Sequence, residues 1–294
     1  MHKGFMFLYA LTLLMGCQFA SQTPSGEVTI PLESPSGTLW VDYIDVGQGD
    51  STLIVLPNHK TILIDCGNTG KGDEVLSVVK KRTKSIDLLI ATHADADHMG
   101  ACDEVMRGIP VVSVLENGQG KDTKAYSDFV TEAQLREYRI LLDDEDLAFD
   151  PSVGLRLMAA YDDDGMDKDT NENSIVLKLT YGSRSLLFTG DCEFNCEKTL
   201  QETEDVNVDV YKAGHHGSST SSTDTFLSEV TPSAVIVSVG VKNSYGHPSP
   251  YALDRLGAYT DAVFRTDQKG TLTLSTDGTE LKISDKNGLL WWKN

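Results

Sequence analysis

From residue 38 onward the chain alternates short apolar runs with polar breaks, and several breaks are dense in chemically active side chains. Thr38-Leu39-Trp40-Val41-Asp42-Tyr43-Ile44-Asp45-Val46 has the β-branched and aromatic content of a strand. It breaks at Gly47-Gln48-Gly49-Asp50 and resumes from Ser51 to Leu56. Pro57-Asn58-His59-Lys60 reads as a turn, with His59 on the surface, into a third strand from Thr61 to Ile64 that ends at Asp65-Cys66-Gly67. Three strands in quick succession predict an antiparallel meander. Glu74 to Lys84 repeats apolar residues at helical spacing. A buried strand at 86–91, a helix from about Gly100 to Met106, a strand from Val111 to Leu115 and a helix over 124–138 follow.

The stretch 139–170 is acidic and reads as solvated loop; Asp143-Asp144-Glu145-Asp146 and Asp162-Asp163-Asp164 lack the alternation and closing Glu of a calcium loop. The second half then opens with strands from Ser174 to Thr180 and from Ser185 to Thr189, joined across a turn bearing Gly182. A helix at 193–203, strands at 208–212 and 234–239, and a β-rich segment at 263–292 complete it. Each half runs from strands into helices. Two sheets packed face to face with helices outside each is the layered solution for that pattern. No linker interrupts 38–294, so these residues are expected to form one α/β domain.

Composition narrows the class. In 294 residues, 40% are apolar, with 9 Pro and 25 Gly, as in an ordinary globular protein. The formal charge of −19 argues against tight, non-specific binding of DNA or RNA through phosphate contacts. It leaves room for a nuclease, because bound cations change the local field. Lys3 followed by the apolar run Phe5 to Leu14 predicts a signal peptide over 1–16, too short to span a bilayer. Leu14-Met15-Gly16-Cys17 resembles the lipobox of bacterial lipoproteins, which makes 17–37 a lipidated Cys and a polar tether, and the protein exported and membrane-anchored in a bacterial envelope. An ordinary signal peptide with an incidental Cys is the alternative. Cys66, Cys102, Cys192 and Cys196 allow two disulfides by three connectivities, or none; their spacing is not that of a thiolate zinc site.

Thr92-His93-Ala94-Asp95-Ala96-Asp97-His98 carries the chemistry. Two imidazoles and two carboxylates emerge where a buried strand ends. Crowded carboxylates repel, and desolvating them costs several kcal/mol unless a cation sits among them. Alternation puts 93, 95 and 97 on one side of an extended segment. Phe188-Thr189-Gly190-Asp191 and Tyr211-Lys212-Ala213-Gly214-His215-His216-Gly217-Ser218 add a carboxylate and two histidines after two further strands. His93, Asp95, Asp97, His98, Asp191 and His215 make a six-member set whose charge balances two divalent ions and one hydroxide.

These motifs resemble the metallo-β-lactamase superfamily, and more narrowly the corresponding domain of the ComEC/Rec2 competence proteins. DVGQGDS (45–51), LIDCG (63–67), THADADHMG (92–100), NENSIVLKL (171–179), LLFTGD (186–191), KAGHHGSSTS (212–221) and SVGVKNSYGHP (238–248) occur in order. The resemblance implies an αββα four-layer sandwich, His93 and Asp95 on one metal, Asp97, His98 and His215 on the other, Asp191 bridging, and Asp65 supporting the metal loop. Asp95 replaces the second His of the superfamily's more common HxHxDH run. No His occupies the slot between 99 and 190, where Asn173 lies nearest. An oxygen-richer site tilts from zinc toward manganese. The 294 residues contain no channel segment, so the chemistry carries over and DNA uptake does not.

The activity expected is metal-dependent phosphodiester hydrolysis, on nucleic acid or on an envelope polymer or lipid, with Asp97 orienting the nucleophile. His216 and His247 are the free imidazoles expected to protonate a leaving group or hold a phosphate oxygen. A lactamase- or lactonase-type C–N or C–O hydrolase is the alternative, and a non-catalytic surface lipoprotein is a third.

Overall fold

The computed structural model describes residues 37–159, 169–285, 288 and 290–294. The segments expected to be signal peptide and tether, with Cys17, up to residue 36, and Asp162-Asp163-Asp164 lie outside the described residues. In chain order the strands are β1 (Leu39–Tyr43), β2 (Thr52–Val55), β3 (Thr61–Ile64), β4 (Ile86–Ala91), β5 (Val111–Glu116), β6 (Glu137–Ile140), β7 (Glu145–Asp146), β8 (Val153–Ala159), β9 (Ile175–Tyr181), β10 (Arg184–Phe188), β11 (Val210–Lys212), β12 (Ala234–Val237), β13 (Val263–Arg265), β14 (Leu272–Thr276), β15 (Leu281–Asp285) and β16 (Leu290–Lys293). The helices are α1 (Gly72–Arg82), α2 (Ala96–Met99), α3 (Cys102–Gly108), α4 (Lys124–Ala133), α5 (Phe194–Thr203), α6 (Asp224–Val230), α7 (Pro250–Tyr259) and α8 (Thr266–Lys269).

Among the described residues the strands form two sheets, ordered β16-β15-β14-β1-β2-β3-β4-β5-β6 and β13-β12-β11-β10-β9-β8-β7. β1 to β3 form the expected antiparallel meander. β3, β4, β5 and β6 then run parallel, as do β10, β11, β12 and β13 in the other sheet.

Strand alternation sorts the core into layers, because successive side chains point to opposite faces. Ile54, Ile62, Leu88 and Ile90 meet Leu155, Leu177, Leu186 and Ile236 between the sheets. Their neighbours Leu53, Leu63 and Leu89 face the other way, onto Val75 and Val79 of α1, Val105 of α3 and Phe129 of α4. Leu187, Tyr211 and Val235 likewise face Leu200 of α5, Phe226 of α6 and Leu256 of α7. This is the αββα sandwich. Each fully buried side chain of this kind stabilises by about 1.5–3 kcal/mol.

Three segments differ from the pattern-based expectation. The helix predicted over 124–138 stops at Ala133, and Glu137–Ile140 forms an edge strand paired to β5, where sheet hydrogen bonding overrides local propensity. The acidic stretch 139–170 holds β8, whose Val153, Leu155 and Leu157 face the inter-sheet core while Met158 faces the outer layer. α6 and α7 went unread, although Pro250 opens α7 at the favoured first turn. His59 is exposed, as expected.

Candidate metal centre

The active-type side chains gather at the carboxyl ends of parallel strands, where α/β sheets leave a crevice. Asp65 follows β3, the His93–His98 run follows β4, Asp191 follows β10, and His215 and His216 follow β11. The loop pieces are locked together by backbone. The amide of Asp50 donates to the Asp97 carbonyl (3.0 Å), that of Cys66 to the His98 carbonyl (2.7 Å), and that of His215 to the Gly190 carbonyl (3.3 Å). Gly49, at φ 135°, lies so close that a Cβ there would stand 2.3 Å from the Asp97 carbonyl oxygen. Asp65, His215 and His216 all have positive φ (56°, 45° and 52°), conformations that cost a non-glycine residue of order 1–3 kcal/mol and persist where surrounding structure imposes them. Disulfides Cys66–Cys102 and Cys192–Cys196 sit directly beside Asp65 and Asp191, which removes these cysteines as thiolate ligands.

Every histidine of the cluster has its Nδ1 held from outside. His98 Nδ1 meets Asp65 Oδ2 (2.8 Å), His93 Nδ1 meets Thr92 Oγ1 (3.1 Å), and His216 Nδ1 donates to the Ser238 carbonyl (3.0 Å). Asp65 also accepts from the Thr92 amide and hydroxyl, both at 2.8 Å, and so performs the supporting role the motif implies. The opposite nitrogens, Nε2 of His93, His98 and His216, are buried without a well-directed hydrogen bond, as are Oδ1 of Asp191 and of Asp50, and His98 Nε2 faces Asp191 Oδ1 only as an ion pair. Buried polar atoms are almost always paired. Donors fixed through Nδ1 and left open at Nε2 are how proteins orient metal-binding imidazoles.

The donors converge. Asp191 Oδ1 is 3.0 Å from His98 Nε2, and Asp191 Oδ2 is 3.5 Å from His216 Nε2. Asp97 Oδ2 lies 3.3 Å from the same His216 nitrogen. Ligand atoms of Asp50, His98, Asp191 and His216 all fall within 4.8 Å of one another, fitting one divalent cation. Asp50 went unread because its strand-end position also suits a turn; its Oδ2 is held by buried Lys212.

The two histidines after β11 are held in different directions. His215 was expected in the metal set and His216 beside it, but their consecutive left-handed residues turn the two rings apart. His216 points into the cluster. His215 Nδ1 is taken by Glu193 (2.5 Å), and its Nε2 is 3.8 Å from Asp191 at the cavity wall. Asp95 also stands apart from the four-residue group: its Oδ1 accepts from Lys121 Nζ (2.6 Å) and Thr170 Oγ1 (2.7 Å). Asn173, in the slot where the superfamily's third-motif His is missing, donates to Gln119 Oε1 and the Asp169 carbonyl instead of facing the donors. His247 lines the cavity with its Nδ1 buried and unpartnered.

Electrostatics express the same demand for a cation. Burial opposes charge on His98, yet Asp191 and Asp65 overcome it and raise its pKa well above the ordinary histidine value. Burial, with the charge on His98, pushes His93 down to about 4. Burial also opposes ionisation of Asp191 and Asp97; neighbouring imidazoles outweigh it and hold both well below the usual carboxylate range. His215 is raised because Glu193 outweighs its burial. His247 is lowered by burial and by the charges of His215 and His216.

A cavity of about 90 Å³ opens here, lined by Gln48, Asp95, Asp97, Asn171, Asp191, His215, His216, Tyr245 and His247. A larger cleft of about 480 Å³, around Asp42 and Arg82, shares none of these residues, and its Arg82–Asp42 pair satisfies itself.

Residues 44–241 match the metallo-β-lactamase superfamily. The chain belongs to that superfamily. It is 31% identical over 258 residues to ComE operon protein 3 of Bacillus subtilis (strain 168), covering 79% of this chain and 32% of that protein. It is 30% identical over 251 residues to Recombination protein 2 of Haemophilus influenzae, covering 84% of this chain and 30% of that one. Its metallo-β-lactamase domain is therefore of the ComEC/Rec2 type, and it spans about a third of the length of these curated relatives. A solved metal-dependent hydrolase of the β-lactamase superfamily has the same fold, with TM-score 0.51 at 12% identity over 77% of this chain and 95% of that one. Family and donor set agree on a metal-dependent hydrolase.

Proposed function

We propose that this protein is a metal-dependent phosphodiesterase. The observation that carries the metal reading is the set of unpartnered, inward-facing Nε2 atoms on His93, His98 and His216 around Asp97 and Asp191. His98, His216, Asp191 and Asp97, with Asp50 beside them, would hold one divalent ion; His93 and Asp95 with Asp191 would hold a second, manganese or zinc. Such ions supply Lewis-acid activation of water and of a phosphoryl oxygen. Asp97, anchored through the Gly49–Asp50 backbone, orients the attacking water. His247, with an open Nδ1 on the cavity wall, exchanges a proton with the leaving oxygen, and the His215–Glu193 pair flanks it.

The diester choice is supported by similarity to recombination and competence proteins. It is tested by turnover of bis-p-nitrophenyl phosphate and of a β-lactam with each metal. Diester hydrolysis alone is the expected result, and β-lactam hydrolysis alone would overturn the assignment. His247→Ala is expected to slow a natural diester by about 10²–10⁴-fold with metal content unchanged, the usual worth of general acid–base assistance. The activated nitrophenyl ester should lose much less; equal losses would remove the proton-transfer role.

Export completes the proposal: 1–16 as signal peptide, Cys17 lipidated, and 38–294 held at a membrane surface as one domain. The two disulfides suit an oxidising compartment. No helix among the described residues is long and apolar enough to cross a membrane.

A further inference from the structure

We propose that Tyr245 is a stacking platform for a planar base of the substrate, so that the site selects nucleotidyl phosphodiesters over diesters of simple alcohols; this rests on the phosphodiesterase reading above. Tyr245 is 68% exposed, yet it lines the same cavity as Asp97, Asp191, His216 and His247. Its ring stacks on His247 with centroids 5.8 Å apart and planes 26° off parallel. His247 in turn lies 6.3 Å from His216, ring to ring, so Tyr245 stands one ring outward from the donor cluster.

The platform is held in place. Asn243 Oδ1 accepts from the amides of Tyr245 (3.1 Å) and His247 (3.0 Å), while its Nδ2 donates to the carbonyls of Gly240 (3.0 Å) and His247 (2.6 Å). One side chain thus pins the whole turn. A fixed aromatic ring turned to water beside a reactive centre is a binding surface whose partner is absent from the fold itself. Gln48 contributes a buried, unpartnered Nε2 on the cavity wall, a donor for a phosphate oxygen or a base edge.

Charge explains why stacking is needed. The chain carries a formal −19, and two ammonium groups beside the donor residues are committed, Lys212 to Asp50 and Lys121 to Asp95. Long-range attraction to a phosphate backbone is therefore weak, and recognition falls to the uncharged parts of the nucleotide. A π-face supplies it without reading sequence, because every base has one.

The test compares Tyr245→Ala, Tyr245→Phe and the unaltered metal-loaded protein on a thymidine dinucleotide and on glycerophosphoethanolamine. Tyr245→Ala is expected to lower the kcat/KM ratio, dinucleotide over glycerol diester, by about 5- to 100-fold, mainly through KM; Tyr245→Phe keeps the ratio. Calorimetric titration with a methylphosphonate-linked dinucleotide, which is not cleaved, reads binding separately. Binding lost in the Ala variant and kept in the Phe variant supports the platform even if no diester is turned over, an outcome that would sink only the phosphodiesterase reading. An unchanged ratio together with equal binding by all three proteins, or no binding by the unaltered protein, overturns the platform. Unchanged metal content and circular dichroism spectra establish that the variants are folded and loaded.

Discussion

The two sides of the donor cluster are built differently, although six residues of the motif run and its neighbours supply both. On one side, Asp97, His98, Asp191 and His216 turn donor atoms toward one another from three strand ends; the one ammonium there, Lys212, is held by Asp50, and Asp97 and Asp191 face only imidazoles. On the other, His93 has an open Nε2, but Asp95 is already answered by the Lys121 ammonium and the Thr170 hydroxyl. On the first side the ammonium leaves two carboxylates, Asp97 and Asp191, to imidazoles alone; on the second it answers Asp95 itself. Similar ligand types therefore do not make equal sites. What neutralises a carboxylate in the folded protein decides how much a metal ion gains by binding there.

The comparison breaks most completely at Asp191, which reaches His98 with one oxygen and His216 and His215 with the other. Asp191→Ala is expected to reduce bound metal on both sides to background and turnover by about 10²–10³-fold or more, the scale of lost electrostatic stabilisation. Elemental analysis checks it, and full metal content in the variant would remove the shared role. His216→Ala should weaken the tighter site by at least about 10–100-fold in a chelator competition, because it removes a fixed donor. His215→Ala should cost clearly less. The reverse order would make His215 the ligand of the pair.

That histidine pair marks where sequence reading ran out. The motif spacing identified the strand ends, and short apolar runs bounded by turn residues at β2, β3, β4 and β10 predicted strands of both sheets, because these strands are buried on both faces. His93, Asp97, His98 and Asp191 were legible for the same reason: each follows an apolar run. Which of two adjacent histidines turns inward depends on the dihedral angles at 215 and 216, and spacing carries no information about those. Lys121 and Glu193 were illegible for another reason. They reach the site from loops with no motif of their own, and an isolated Lys or Glu in a polar loop reads as solvated surface. β8 was hidden because its alternation sits in the acidic stretch 139–170.

A smaller effect sharpens the comparison. Lys121→Met removes the ammonium that occupies Asp95, and metal should then bind the His93–Asp95 side more tightly. The Lys121–Asp95 pair is about one-third exposed, 37% and 30%, so its strength is screened. A pair of that kind is worth about 0.2–1 kcal/mol, and the expected gain is correspondingly at most about fivefold. No gain in a chelator competition would show that Lys121 does not compete.

Protonation distinguishes the sides as well. His98 is held protonated above its ordinary pKa by Asp191 and Asp65, so an ion entering its side must displace that proton. Affinity there should rise with pH until it reaches the raised His98 value, and binding at neutral pH should release about one proton. His93, pushed down to about 4, is already neutral and releases none. Calorimetry in two buffers of different ionisation enthalpy reads the difference.

Titration of the metal-free protein with manganese, and separately with zinc, tests the inequality of the two sites most directly. Two steps are expected, a tight first equivalent whose binding releases a proton and a weaker second equivalent that tightens in Lys121→Met. Two equivalents binding with a single affinity, or no binding and no thermal stabilisation with either metal, would contradict it.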